Sequence, residues 1–227
     1  MFIASFASGP WEANCYLVGR KDDGECVVID PGVDALEIVE GALDENGWTL
    51  VGVIATHGHL DHIGNAADLA NKHDVPMWMH SADDFMLTNP AAGLGLGSEG
   101  LVVQVMGSAT LPEPNKRETM DDGDVLSVAG LDFAVQHAPG HSPGSCVLTL
   151  SDPDGPIVFV GDVVFAGSIG RTDLPRGNTA EMNRSLSSVI LPLDDSARLL
   201  PGHGPMTTVG RERHTNPFLQ PNYLGNV

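Results

Sequence analysis

The segment Thr56-His57-Gly58-His59-Leu60-Asp61-His62 places four potential metal ligands within six positions. Imidazole nitrogen and carboxylate oxygen are donors that suit zinc, iron or manganese. In an extended loop, side chains two apart project the same way, so His57 and His59 can meet on one ion. Asp61 and His62 open the next helix and project to the other side of that ion. Gly58 lets the backbone turn tightly between the two histidines. One strand-to-helix turn can therefore feed two adjacent metal sites. Packing has no need of three imidazoles and a carboxylate around one turn. A structural zinc site would favour four ligands rich in cysteine, and Cys15, Cys26 and Cys146 all lie away from these loops.

Three further positions share a local pattern of apolar strand, glycine, then a ligand-type residue. They are His141 in Pro139-Gly140-His141, Asp162 in Val160-Gly161-Asp162, and His203 in Pro201-Gly202-His203. Ligands at the ends of several strands converge on one edge of a sheet sandwich, where sites are usually built. Thr56, Ser142, Arg171 and Asp173 are candidates to orient the ligands, with a plain ion pair as the competing role for the last two. His73, His80, His137 and His214 stand outside such motifs and read as ordinary surface or hydrogen-bonded histidines.

The surrounding elements must deliver these residues to one place. Met1–Ala7, Asn14–Gly19 and Glu25–Ile29 read as antiparallel strands separated by turns. Leu36, Val39 and Leu43 have helical spacing within Val33–Asn46, which Gly47 stops. The nearly continuous apolar run Leu50–Thr56 has the character of a strand covered on both faces. Asn65–His73 reads as a helix and Val75–His80 as a short strand. Residues 88–117 are rich in Gly, Pro and Asn and read as a mobile insertion or substrate loop. Strands resume at Val125–Ser127, Leu131–Gln136, Ser145–Leu150 and Ile157–Val160. Asn178–Leu191 reads as a helix capped by Asn178 or Thr179, and a short terminal helix is expected to stop before Pro217. Each half offers strands, then a strand ending in a ligand-bearing loop, then a helix. The expected fold is α+β, a single domain over 1–227 built as an αββα sandwich, two β-sheets face to face with helices outside.

Composition narrows the function. Against 11 Lys+Arg stand 30 Asp+Glu, a net charge of −19. Such a surface repels phosphate backbones, which argues against nucleic acid and anionic membranes as partners. No apolar run is long enough to span a membrane, and the N-terminus has no basic, secretory character. An odd count of three cysteines without a Cys-x-x-Cys points to a reducing compartment, and the expected location is the cytoplasm.

Taken together, Thr56-His57-Gly58-His59-Leu60-Asp61-His62-Ile63-Gly64, the Pro-Gly-His141 turn, the Gly-Asp162 strand end and the Pro-Gly-His203 loop resemble the metallo-β-lactamase superfamily. Within it, the stretch Phe159–Asp173, the early Asn14-Cys15-Tyr16 and the late Asn216-Pro217-Phe218 are similar to small glyoxalase II-type (hydroxyacylglutathione hydrolase-like) enzymes. The resemblance implies two mixed sheets and two divalent ions, zinc foremost, with iron or manganese as alternatives. It implies one ion on His57, His59 and His141 and a second on Asp61, His62 and His203, with Asp162 bridging. The implied reaction is attack of a metal-bridging hydroxide on the carbonyl of a small-molecule thioester. The metal on the His57 side would polarise that carbonyl, and Asp61 and Asp162 would be the catalytic carboxylates that hold the nucleophile and take its proton.

Two departures bear on the substrate. Glutathione-thioester hydrolases of full length carry a C-terminal helical extension with basic residues, whereas here Arg211 and Arg213 are the only cations beyond His203. Persulfide dioxygenases look similar, share the Gly-Arg-Thr-Asp stretch, and use one iron on residues matching His57, His141 and Asp162. They form the competing expectation. β-Lactamases of this superfamily generally lack a bridging Asp and fit less well, and a nuclease needs a basic groove.

Overall fold

The computed structural model describes residues 1–20 and 24–224. One sheet has the order β1-β2-β3-β4-β5-β6, formed by Phe2–Ser8, Ala13–Gly19, Glu25–Ile29, Thr49–Ile54, Met77–Trp78 and Arg117–Glu118. The other has the order β14-β13-β10-β9-β8-β7. Its strands are β7 Val125–Val128, β8 Leu131–His137, β9 Cys146–Leu150, β10 Ile157–Gly161, β13 Arg198–Pro201 and β14 Thr207–Thr208. A small hairpin, β11 Val164–Phe165 with β12 Ser168–Ile169, stands between β10 and β13 in the chain. Both large sheets mix parallel and antiparallel pairs. This is the four-layer sandwich expected from the sequence.

The layers follow from strand alternation. In β3, Cys26 and Val28 face an outer cluster with α1 (Ala35–Asn46), α2 (Leu60–Ile63) and α3 (Ala66–His73), while Val27 and Ile29 face the opposite sheet. In β10, Ile157 and Phe159 point into the layer between the sheets, while Val158 and Val160 point out toward α7 (Thr179–Ser185) and α8 (Val209–Thr215). The inter-sheet layer centres on Phe159, whose ring meets Tyr16 edge-on at 5.3 Å and Phe133 at 6.2 Å.

Topology brings the site together. β3 runs parallel to β4, and β10 parallel to β13, each pair joined through a helix. Parallel partners end on the same side, so Asp30, His57, Asp162 and His203 emerge along one rim. Bonds between the halves close that rim: Asn14 N–H donates to Gly202 O at 2.7 Å, and Cys146 N–H to Thr56 O at 2.8 Å.

Several expectations change. The strand expected over Val75–His80 shrinks to Met77–Trp78, because only those residues find a parallel partner. A short helix, α4 (Asp84–Leu87), leads into residues 88–117, where α5 (Ala91–Leu94) and α6 (Glu99–Met106) form within the segment expected to be a loop, and β6 begins at Arg117. α6 buries Val102 and closes at Gly107, where φ of 72° suits glycine. The helix over Asn178–Leu191 is capped by Asn178, whose Oδ1 accepts from the Ala180 and Glu181 amides, and passes into a π-turn at Leu186–Ile190. The helix expected near the C-terminus, α8, ends at Thr215 before Pro217, but it is not the last: a 3-10 turn at Pro217–Leu219 and a short helix, α9 (Pro221–Leu224), follow it. Among the described residues no helix is long and apolar enough to cross a membrane. Phe159→Ala should cost about 3–5 kcal/mol through the cavity left between the sheets, read as a lowered midpoint in urea unfolding with an unchanged slope.

Candidate metal centre

All seven ligand-type residues singled out in the sequence lie on the rim, and their donor atoms fall into interlocking groups. Donors of His57, His59 and His141 lie within 4.8 Å of one another, as do those of Asp61, His62 and His203, and those of His57, His62 and Asp162. The Asp162 carboxylate reaches toward both ends. Its Oδ1 stands 3.4 Å from His62 Nε2, and its Oδ2 lies 3.4 Å from His141 Nε2 and 3.5 Å from His203 Nε2. His203 Nε2 also lies 3.2 Å from Asp61 Oδ2. His57, His59, His62, His141 and Asp162 are buried, while Asp61 and His203 open toward solvent.

For His57, His62, His141 and His203 the ring nitrogen turned away from the centre fixes the orientation. His57 Nδ1 meets Thr56 Oγ1 at 3.1 Å, and Thr56 Oγ1 in turn donates to Asp30 Oδ2 at 2.7 Å. His62 Nδ1 faces Asp30 Oδ2 at 3.0 Å. His141 Nδ1 faces Arg171 O at 2.7 Å, and His203 Nδ1 faces Trp11 O at 3.0 Å. Those acceptors draw a ring proton to Nδ1 and leave four Nε2 atoms aimed at the centre. His59 is turned the other way and presents Nδ1, 2.8 Å from His141 Nε2.

This interior fits metal ions. Among the described residues, His57 Nε2, His62 Nε2 and Asp162 Oδ1 are buried and find no hydrogen-bond partner. Buried polar atoms in that condition are costly unless a cation or proton takes them up. Gly202 leaves the room required, since a Cβ there would collide with Asp162 Oδ1 and the His62 ring. Electrostatics divides the cluster. Burial, then the neighbouring His62 and His141, hold His57 well below its ordinary value, and burial with His141 lowers His59 to about 3, so both are neutral donors. Burial opposes charge on His62, but Asp162, Asp61 and Asp30 prevail and raise it to about 10.

Sequence reading missed two residues that hold the centre together. Asp30, buried with φ of 53°, accepts from Thr56 N–H at 2.7 Å as well as from Thr56 Oγ1 and His62. Asp83 is fully buried and joins both ligand loops. Its Oδ2 accepts from Gly58 N–H at 2.8 Å and Ser142 Oγ at 2.7 Å, and its Oδ1 accepts from Gly144 N–H at 2.7 Å. Burial pushes the Asp83 carboxyl above its ordinary value, and these three donors pull against that shift. Asp30 had a visible signal in Asp30-Pro31-Gly32 directly after an apolar strand. Asp83 had none, lying in Ser-Ala-Asp-Asp with nothing to set it apart from the other acids of an acidic chain.

The four orienting candidates separate. Thr56 touches His57, and Ser142 hydrogen-bonds Asp83. Arg171 supports His141 through its carbonyl, while its side chain forms an exposed two-bond pair with Asp173. The outlying histidines stay outside: His73 bonds Glu40, His214 bonds Gly210 O, and His80 stacks on His137 at 4.2 Å.

Comparison with known proteins agrees with this geometry. The metallo-beta-lactamase superfamily model matches residues 8–203, and the chain belongs to that superfamily. The hydroxyacylglutathione hydrolase GloC of Haemophilus influenzae is 34% identical over 92% of this chain and 93% of its own length. Among solved structures, the BLEG-1 B3 metallo-beta-lactamase is 32% identical and superposes with a TM-score of 0.82, covering 96% of this chain and all of its own. TTHA1623 in a di-iron-bound form is 35% identical with a TM-score of 0.78, over 95% of this chain and all of its own.

Asp83→Asn turns an amide toward the Gly58 N–H and should lower metal affinity about 10–100-fold, as read by competition with a chromogenic chelator. Gly202→Ala should lose bound metal more completely while the circular dichroism spectrum stays native.

Proposed function

We propose that this protein is a binuclear metal-dependent hydrolase of small-molecule thioesters. The carrying observation is Asp162, whose two oxygens stand within 3.5 Å of nitrogens from both ligand sets. His57, His59 and His141 would hold one divalent ion, Asp61, His62 and His203 the other, and Asp162 both. Zinc is the assignment, and the same nitrogen and oxygen donors also accept iron or manganese. Such a pair of ions supplies a water acidic enough to act as nucleophile near neutral pH and a Lewis acid for the carbonyl.

The protein's own groups do the rest. Asp61 and Asp162 are the carboxylates placed to accept a proton from that water and keep it oriented. Asp61 is held in its ionised form well below the ordinary carboxylate range, since His62 and His203 outweigh the effect of burial. Thr56, Asp30, Trp11 and Arg171 fix the rings, so the site is organised before substrate arrives. A thiolate leaves without a strong acid to protonate it, which agrees with a pocket where, among the described residues, the paired Arg171 is the only charged lining residue besides the ligands. Identity with the Haemophilus hydroxyacylglutathione hydrolase favours the thioester over the lactam. Three free, buried cysteines suit a reducing cytoplasm.

Protein purified without chelators should carry about two divalent ions per chain, counted by elemental analysis, and should release free thiol from a thioester panel. One iron per chain with oxygen uptake on persulfides would replace this reading by the dioxygenase. Asp162→Ala should lower turnover by about 100-fold or more and weaken one of the two ions; wild-type turnover in that variant would remove the binuclear mechanism.

A further inference from the structure

The pocket over the ligand cluster has a volume of about 410 Å³. Beyond the ligands its wall is formed by Trp11, Leu94, Phe165, Ile169 and Leu174, each partly exposed. Ser168 adds one hydroxyl, and Arg171 is the single Lys or Arg among the described residues that line it. That cation is engaged: Arg171 Nε and Nη2 donate to the two carboxylate oxygens of Asp173 at 2.7 and 2.8 Å. Arg176, the other arginine of the same loop, lies 3.9 Å above the Phe85 ring.

These walls are built, not incidental. The hairpin that carries Phe165, Ser168 and Ile169 is clamped from α8 and the residue after it. The buried Glu212 accepts from Gly167 N–H at 2.7 Å, and Asn216 Nδ2 donates to Ser168 O at 2.9 Å and Phe165 O at 3.2 Å. Leu94 ends α5, which lies so close over His59 that a Cβ on Gly93 would stand 2.9 Å from the His59 ring.

A glutathione thioester brings two carboxylates and an ammonium to the pocket mouth. Carboxylates are recognised by free guanidinium or ammonium groups, and setting one against an apolar wall costs its hydration without return. We propose that the substrate is a thioester whose thiol portion is uncharged where it meets Trp11, Leu94, Phe165, Ile169 and Leu174, and that this protein does not hold its thiol carrier by carboxylates. The inference rests on the thioester reading above. The reaction is hydrolysis: the C–S bond breaks, a C–O bond forms from water, one of the water's protons ends on the released thiol, and the other passes to solvent as the product acid ionises to a carboxylate.

The test uses the metal-loaded enzyme and three thioesters with one acyl group, on glutathione, on glutathione dimethyl ester and on N-acetylcysteamine. Masking the carboxylates should leave kcat/KM unchanged or raise it, and the N-acetylcysteamine thioester should match or exceed the glutathione thioester. Leu174→Arg, at a partly exposed loop position, should shift the ratio toward the glutathione thioester by about tenfold. Arg171→Ala should leave the ratio unchanged. A preference of about tenfold or more for unmasked glutathione, or a selective loss of that substrate in Arg171→Ala, overturns this inference and leaves the hydrolase reading standing. Failure of all three thioesters with two ions bound overturns the thioester reading and this inference with it.

Discussion

Ligand-type atoms crowded face to face in a dry place are the condition on which this molecule turns. His59 Nδ1 and His141 Nε2 stand 2.8 Å apart, and among the described residues His57 Nε2, His62 Nε2 and Asp162 Oδ1 find no hydrogen-bond partner. An apolar core would push such groups apart or out to water. They stay because their far ends are fastened. Thr56 and Asp30 hold His57 and His62, carbonyls hold His141 and His203, and Asp83 ties the two loops that carry His59 and His141. The inner faces are thereby left short of positive charge, which is the physical content of a metal centre.

That fastening depends on topology more than on local preference. β3–α1–β4 and β10–α7–β13 are parallel units in opposite sheets, and each delivers two strand ends to the same rim. One register irregularity falls where a strand end must be aimed. β10 shifts against β13 between Phe159 and Gly161, and Gly161 takes φ of 45°, where a Cβ would collide with Thr56 Oγ1. The two halves of the chain are thus locked by the residues that build the site. A core of ordinary alternating strands supports the arrangement from behind, through Phe159, Tyr16 and Phe133 between the sheets.

Much of this was legible because the residues carry their own geometry. His-x-His-x-Asp-His is local, so its convergence needs only a turn, and the Gly-ligand steps at 140–141, 161–162 and 202–203 mark strand ends by their apolar approach. The αββα layering follows from runs such as Val27–Ile29 and Ile157–Val160 that are apolar on both faces. What escaped was set at long range. Asp83 acquires its importance from donors 25 and 61 residues away. α5 and α6 were hidden because Gly, Pro and Asn between short helices resemble loop composition, and tertiary contact, not propensity, makes four residues such as Ala91–Leu94 helical. β5 and β6 are two-residue strands that exist only through each other and β4.

The centre and its mouth answer to different physics. Ligand residues follow the ends of hydrogen-bonded sheet strands, β4, β8, β10 and β13, where a displacement of one ring would strain the whole rim. The mouth is assembled from pieces without that support: Trp11 after a turn, Leu94 at the end of one helical turn, Leu174 in an open loop, and a two-strand hairpin held by Glu212 and Asn216. Such segments can change side chains at little cost to folding. Charge is scarce there even though the surface as a whole is strongly acidic, and the one arginine present is already paired. Chemistry is therefore written into the strands that the sheets cannot release, and the choice of substrate into walls that can be redrawn one residue at a time.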